Sequence, residues 1–300
     1  MSRRSLFRGV LRHTPQAPRA LRGSDARAAA RPSGLAPRRR GGEPQSRFAR
    51  RPLFVAVACG LSLLGVASAP VAAAPPDAAT ILRRADRAIL GEAAAYTLRM
   101  TVVRPGKPER VVEMKGWKKG DEQGLVRYTA PAKERGTAYL RSGESTWLFL
   151  PSAEKVVRVG ARQNFGGGDF SNADIFRLSL VRDYDPTLAG EETAEGEACY
   201  KLELKAKDRS IAYDRVVYWV RRDGTFYPVK ADYYTLSGKN LKSLVLSQVK
   251  PVGGRPRPTL MTMQSRVDEG SRTRLEFLTI QDDPKLDDRL FSPGSLERGE

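Results

Sequence analysis

The sequence predicts a mainly β protein with few helices, built on an antiparallel sheet with one apolar and one wet face. Three observations predict it. Apolar and polar residues alternate with period two along most of the chain after residue 92. Turn signals punctuate those runs at roughly ten-residue intervals. A single stretch, residues 77–91, instead carries its apolar residues at helical spacing.

In that stretch Asp77 is placed to cap a helix, and Ala78, Ile81, Leu82, Ala85, Ile89 and Leu90 form one stripe. Arg83, Arg84, Asp86 and Arg87 lie opposite, and Gly91 supplies a stop. Leu98, Met100 and Val102 then face away from Thr97, Arg99 and Thr101. The same alternation sets Tyr200, Leu202 and Leu204 against Lys201, Glu203 and Lys205. It recurs in Met261 and Met263 against Thr262 and Gln264, and in Leu275 and Phe277 against Arg274 and Glu276. Turns fall at Gly120, Gly143, Gly224 and Gly238, giving about ten or eleven strands in a meander. Two segments break the pattern. Residues 160–177 read as a Gly-rich loop entering a helical turn capped by Ser171 or Asn172, and residues 251–258 read as a Pro/Gly connector.

The net charge of +18 suggests a nucleic-acid binder until it is located. Residues 1–51 hold 14 arginines against Asp25 and Glu43, leaving 38 basic and 32 acidic residues for the rest. The body is therefore an ordinary mixed-charge surface, and no nucleic-acid partner is expected. Residues 1–45 cannot build a core and read as a disordered extension, which a start codon assigned too far upstream would explain. Residues 46–73 read as a signal peptide: an Arg flank, a 17-residue apolar run at 53–69, then small residues, with cleavage placed after Ala73, Ala69 and Ala74 being alternatives and an uncleaved membrane anchor the rival reading. Two twin-arginine matches, at residues 2–7 and 50–54, are incomplete or badly placed. Residues 74–300 read as one domain exported to the periplasm.

Catalytic chemistry is sparse. The only histidine, His13, lies in the extension, and once the signal containing Cys59 is removed Cys199 stands alone. No cofactor, no metal site and no enzymatic activity are expected. Asp169, Asp174, Asp183 and Asp185 gather around the glycine loop, where turn chemistry explains them better than a paired-carboxylate hydrolase does.

Residues 129–185 carry a more specific pattern. Pro131 and Gly136-Thr137 precede a strand, the aromatic-rich segment 147–151 ends in Leu150-Pro151, and Gly168-Asp169-Phe170 follow in the loop. With the ending DDRLFSPGSLER, this resembles the outer-membrane lipoprotein-sorting family, the LolA-like periplasmic lipoprotein and lipid carriers, over roughly residues 76–298. Gly167-Gly168 departs from it, standing where relatives often carry a bulkier residue. The resemblance implies a strongly curved sheet, an incomplete β-barrel of LolA/LolB type, with helices over a hydrophobic cavity. It also implies binding of lipid or lipoprotein acyl chains, beside a membrane exporter or an outer-membrane acceptor. One helix is little cover for so wide an apolar face, which agrees with a cavity. Leu98, Met100, Met114, Leu140, Trp147, Phe149, Trp219, Met261, Met263 and Phe277 are its expected lining. Phe165, Phe170 and Phe176 are the expected flap. Arg127 and Tyr128 share a strand but face opposite ways, so at most one of them lines it. The competing reading is a non-catalytic accessory subunit that docks on an envelope transport complex through its sheet surface.

Overall fold

The computed structural model describes residues 76–176 and 179–298. The Arg-rich extension, His13, Cys59, the apolar run at 53–69 and the cleavage site after Ala73 lie outside the described residues.

Thirteen antiparallel strands form one sheet, more than the ten or eleven that turn spacing predicts. The first six are β1 (Ala93–Val103), β2 (Arg110–Lys119), β3 (Gln123–Ala130), β4 (Ala138–Ser142), β5 (Ser145–Leu150) and β6 (Lys155–Arg158). The other seven are β7 (Tyr184–Ala194), β8 (Glu197–Ala206), β9 (Arg215–Arg221), β10 (Pro228–Tyr234), β11 (Asn240–Val252), β12 (Arg255–Ser265) and β13 (Arg272–Asp282). They make two meanders rather than one. β1–β6 and β7–β13 are each built from neighbours joined by hairpins, and the sole seam between them is β1 on β13. Tyr96 stands opposite Ile280 there, and Met100 opposite Leu275. Strands β6 and β7 end the order without pairing, so the sheet is an incomplete barrel.

The β7 edge is poorly suited to adding another strand. Pro186 lacks an N–H, the register shifts between Leu188 and Gly190, and Asp185, Glu191 and Glu192 put charge along it.

Residues 251–258 are not a connector. β11 and β12 run through them as a hairpin, with Pro251 opposite Pro256 and a turn at Gly253-Gly254. Pairing of β12 with β13 begins only at Leu260, so these prolines interrupt no second ladder.

Helix α1 (Ala78–Ala88) starts where sequence places it, with the Thr80 N–H donating to Asp77 Oδ1 at 2.9 Å. Ile81, Leu82 and Ala85 turn inward onto the main core, which fills the inner face of the sheet. The end of α1 is tied down by cations from the strands. Arg257, fully buried, donates from Nη1 to the Ile89 carbonyl at 2.6 Å and to Asp282 Oδ1 at 3.1 Å. That hydrogen bonding holds the Asp282 carboxyl below its ordinary pKa.

The outer face is not uniformly wet. At one end Leu125, Ala138 and Leu140 pack beneath Phe291 and Leu296 of the C-terminal segment, which closes in a short helix α4 (Ser295–Arg298). At the other end Cys199, Val217, Trp219 and Val229 form a smaller cluster. Arg127 and Tyr128 do face opposite ways: Tyr128 joins the inner core, whereas Arg127 donates to the Ser295 and Leu296 carbonyls at 3.2 and 3.3 Å.

Candidate functional site

The segment after β6 decides how the inner face is covered. Phe165 and Phe170 are fully buried, and the Phe165 ring sits 4.4 Å from Tyr139, centroid to centroid. Polar contacts anchor the same segment. Asp169 accepts from Arg104 Nη1 at 2.8 Å and from Thr273 Oγ1 at 2.6 Å. Ser171 caps the short helix α2 (Asn172–Ile175), with the Asp174 side chain closing a capping box. Lys242 Nζ donates to the Asp169 carbonyl at 2.9 Å and to Asp174 Oδ2 at 2.5 Å. Asp169 and Asp174 are thereby structural acids, and residues 160–176 form a fixed strap. Phe165 and Phe170 are both buried in the inner core, the Phe165 ring beside Tyr128 of β3 and Tyr139 of β4. Of the three phenylalanines only Phe176 reaches the cavity described next.

Between α1, α2 and the sheet lies a cavity of about 160 Å³. Its cover is Ala85, Ile89 and Leu90 at the end of α1, with Ile175, Phe176 and Leu180, the last in the short helix α3 (Leu180–Asp183). Its wall is Tyr96 and Leu98 on β1, Leu244 and Leu246 on β11, Met261 on β12, and Leu275 and Phe277 on β13. Tyr218 on β9, Tyr233 on β10, and Trp117 and Lys118 on β2 line it as well. The Tyr96 ring meets Phe277 edge-on at 5.7 Å, and burial pushes its phenol above the ordinary tyrosine range.

The expected lining residues separate into three groups. Leu98, Met261 and Phe277 line the cavity. Met100, Met114 and Met263 are buried in the same inner core but stand away from the cavity. Leu140, Trp147, Phe149 and Trp219 lie on the outer face and cannot line it. Leu140 sits opposite Leu125 on one side and Trp147 on the other, and Phe149 is opposite Ala138, which places all of them beneath the C-terminal segment. Trp219 packs in the far outer cluster, its Nε1 donating to Glu192 Oε1 at 2.5 Å. Strands covered on both faces give no contrast from which sequence could assign a face.

Other lining residues carry a sequence signal of their own. Tyr96 continues the Leu98–Met100 alternation backward by one step. Leu244 and Leu246 alternate with Ser243, Val245 and Ser247. Lys118, a charged residue in an apolar wall, had none.

Gly116 controls the shape of the site. It lies opposite Tyr96 on the neighbouring strand, and a Cβ there would fall 2.1 Å from Tyr96 Cε2. Gly116→Ala is expected to cost about 1–3 kcal/mol by overpacking. It should also push the Tyr96 ring toward the cavity, so ligand affinity should fall together with the melting temperature.

No described helix is long and apolar enough to cross a membrane. Among the described residues no group of three His, Cys, Asp or Glu is arranged to hold a metal ion. Cys199 is buried, and desolvation raises its thiol pKa, the reverse of an activated nucleophile.

A family model described as an uncharacterized protein matches residues 120–298. No curated protein matches the chain. Among solved structures, a LolA superfamily protein from Nitrosomonas europaea is 30% identical with a TM-score of 0.66, covering 74% of this chain and 100% of that one. A DUF1329 family protein from Desulfovibrio piger is 29% identical with a TM-score of 0.66, covering 73% and 97%. An outer membrane lipoprotein-sorting protein domain from Vibrio parahaemolyticus shares the fold at 23% identity and a TM-score of 0.65, covering 74% and 98%. Matched over the full length of the Nitrosomonas protein, with its inner face roofed by α1 and the strap, the chain belongs to the LolA superfamily.

Proposed function

We propose that this protein is a periplasmic carrier that holds acyl chains of lipoproteins or other lipids against the inner face of its sheet, for transfer toward the outer membrane. The observation that carries this reading is the apolar cavity beneath α1, walled by Leu98, Leu246, Met261 and Phe277. Family membership supports it. Removing methylenes from water yields about 0.8 kcal/mol each, so eight of them would contribute about 6 kcal/mol without any catalysis. The resting cavity is small for that task. A dry apolar cavity of about 150 Å³ holds a benzene-sized molecule, and ligand pockets usually exceed about 300 Å³. Loading a whole chain therefore requires the cavity to widen or the chain to extend beyond it. Donor and acceptor would be a membrane exporter and an outer-membrane protein.

The reading as an accessory subunit docking through its sheet is less favoured, because Pro186, the Gly190 irregularity and the acids of β7 blunt the long free edge.

Met261→Asp tests the proposal. A carboxylate facing the cavity is costly to bury without a partner, so affinity for an environment-sensitive alkyl probe should fall by about 100-fold or more. Trp147→Ala, on the outer face, should leave that affinity within about twofold. Equal probe binding by wild type and a folded Met261→Asp variant would remove the cavity from the ligand's path.

A further inference from the structure

The charge inside the cavity points to the kind of amphiphile it takes, an inference that rests on the carrier reading above. Among the described residues, three ionisable acid or amine side chains line it: Asp86, Lys118 and Asp174. Both carboxylates are engaged by the fold. Asp86 Oδ2 accepts the Leu180 and Val181 N–H groups at 2.7 and 3.1 Å, and Asp174 Oδ2 meets the Lys242 ammonium at 2.5 Å. Lys118 is different. It is 4% exposed, and among the described residues Nζ donates only to backbone carbonyls, Gly91 at 2.6 Å and Glu92 at 3.4 Å. An ammonium carries three N–H donors, so one is left over. Desolvation, with Arg87, pulls the Lys118 pKa below the ordinary lysine value against the opposing charges of Asp121, Glu92 and Asp86, none of which forms a described ion pair with it. A buried cation without a close counter-charge is an unfavourable arrangement that a ligand anion would correct.

We infer that the cavity takes an anionic amphiphile, whose carboxylate or phosphate oxygen meets Lys118 Nζ while its alkyl chain lies along Leu98, Leu246, Met261 and Phe277. Lys118 stands near the end of β2, two residues before the turn at Gly120, so the head of the ligand would sit at the rim of the sheet. The chain would run inward from there. Selectivity follows from charge. A neutral head leaves the ammonium uncompensated, and a cationic head adds repulsion within an apolar enclosure.

The test is isothermal titration of the purified protein with decanoate, decyl phosphate, decanol and decylamine, repeated on Lys118→Gln and Lys118→Arg. Wild type is expected to prefer at least one of the two anions over decanol by about tenfold or more, with decylamine weakest. The tighter of decanoate and decyl phosphate identifies the head. Lys118→Gln should bring anion and alcohol to within about twofold, whereas Lys118→Arg should keep the preference. Lys118 also holds the carbonyls that follow α1, so Lys118→Gln is first checked by circular dichroism. If it does not fold, the wild-type ratio and Lys118→Arg decide. Equal wild-type affinities for the anions and decanol would overturn the headgroup assignment and leave the carrier reading standing. Failure of all four ligands to bind wild type would overturn both.

Discussion

Lys242→Met is expected to destabilise the fold by about 3–5 kcal/mol, because it removes one partner of a buried ion pair and leaves the other. The Lys242 side chain is 10% exposed and that of Asp174 is 2% exposed. Without the ammonium, Asp174 keeps neutral donors from Ser171 and Tyr213 but loses its counter-charge, and the Asp169 carbonyl loses a donor. Those groups tie the strap to β11, so the rings of Phe165 and Phe170 should loosen with it. The urea midpoint should fall by about 1 M or more. Lys242→Met combined with Asp174→Asn should recover part of the loss, since the orphaned charge goes too. A midpoint shift below about 0.3 M for the single variant would show that the pair does not hold the strap.

Phe291→Ala should act on the other side of the sheet and be as costly, at about 3–5 kcal/mol. Phe291 is 2% exposed and, with Leu296, covers Leu125 and Leu140. Truncating the ring leaves a cavity above strands that are also buried on their inner face, so the surroundings have little freedom to collapse. A chain of this size loses about 2–4 °C per kcal/mol, which puts the expected drop near 10 °C. Alkyl-probe affinity at a temperature where the variant is folded should stay close to wild type, because among the described residues of this cluster Trp117 alone also lines the cavity. A large loss of affinity in folded Phe291→Ala would mean that the two faces are coupled.

Burial on both faces of the sheet sets the limit of what local sequence pattern shows. The helix at Ala78–Ala88, its Asp77 cap, a second cap at Ser171 or Asn172 and the hairpin glycines were legible because each depends on residues a few positions apart. The inward set Leu98, Met100 and Val102 was legible because Thr97, Arg99 and Thr101 mark the wet side. In β4 and β5 no such contrast exists: Tyr139 packs inward while Leu140 and Trp147 pack outward. The same is true of Tyr218 and Trp219 on β9. The outer cover comes from Phe291 and Leu296, far away in the chain, so no local pattern announces it. The seam of β1 on β13 is equally non-local. The glycines at 166–168 suggest a flap, yet Gly166 is required by close packing: a Cβ there would fall 2.2 Å from Tyr128 Oη. Motif resemblance reached the family because it draws on several distant segments together, which alternation cannot do.

The most direct measurement of the central claim is native mass spectrometry of the protein purified from a Gram-negative periplasm, followed by organic extraction of whatever is bound. The carrier reading expects a mass above that of the polypeptide, extractable as lipid or acylated peptide, and lost in Met261→Asp. A clean polypeptide mass, unchanged after incubation with lipids and an acylated peptide, would contradict it.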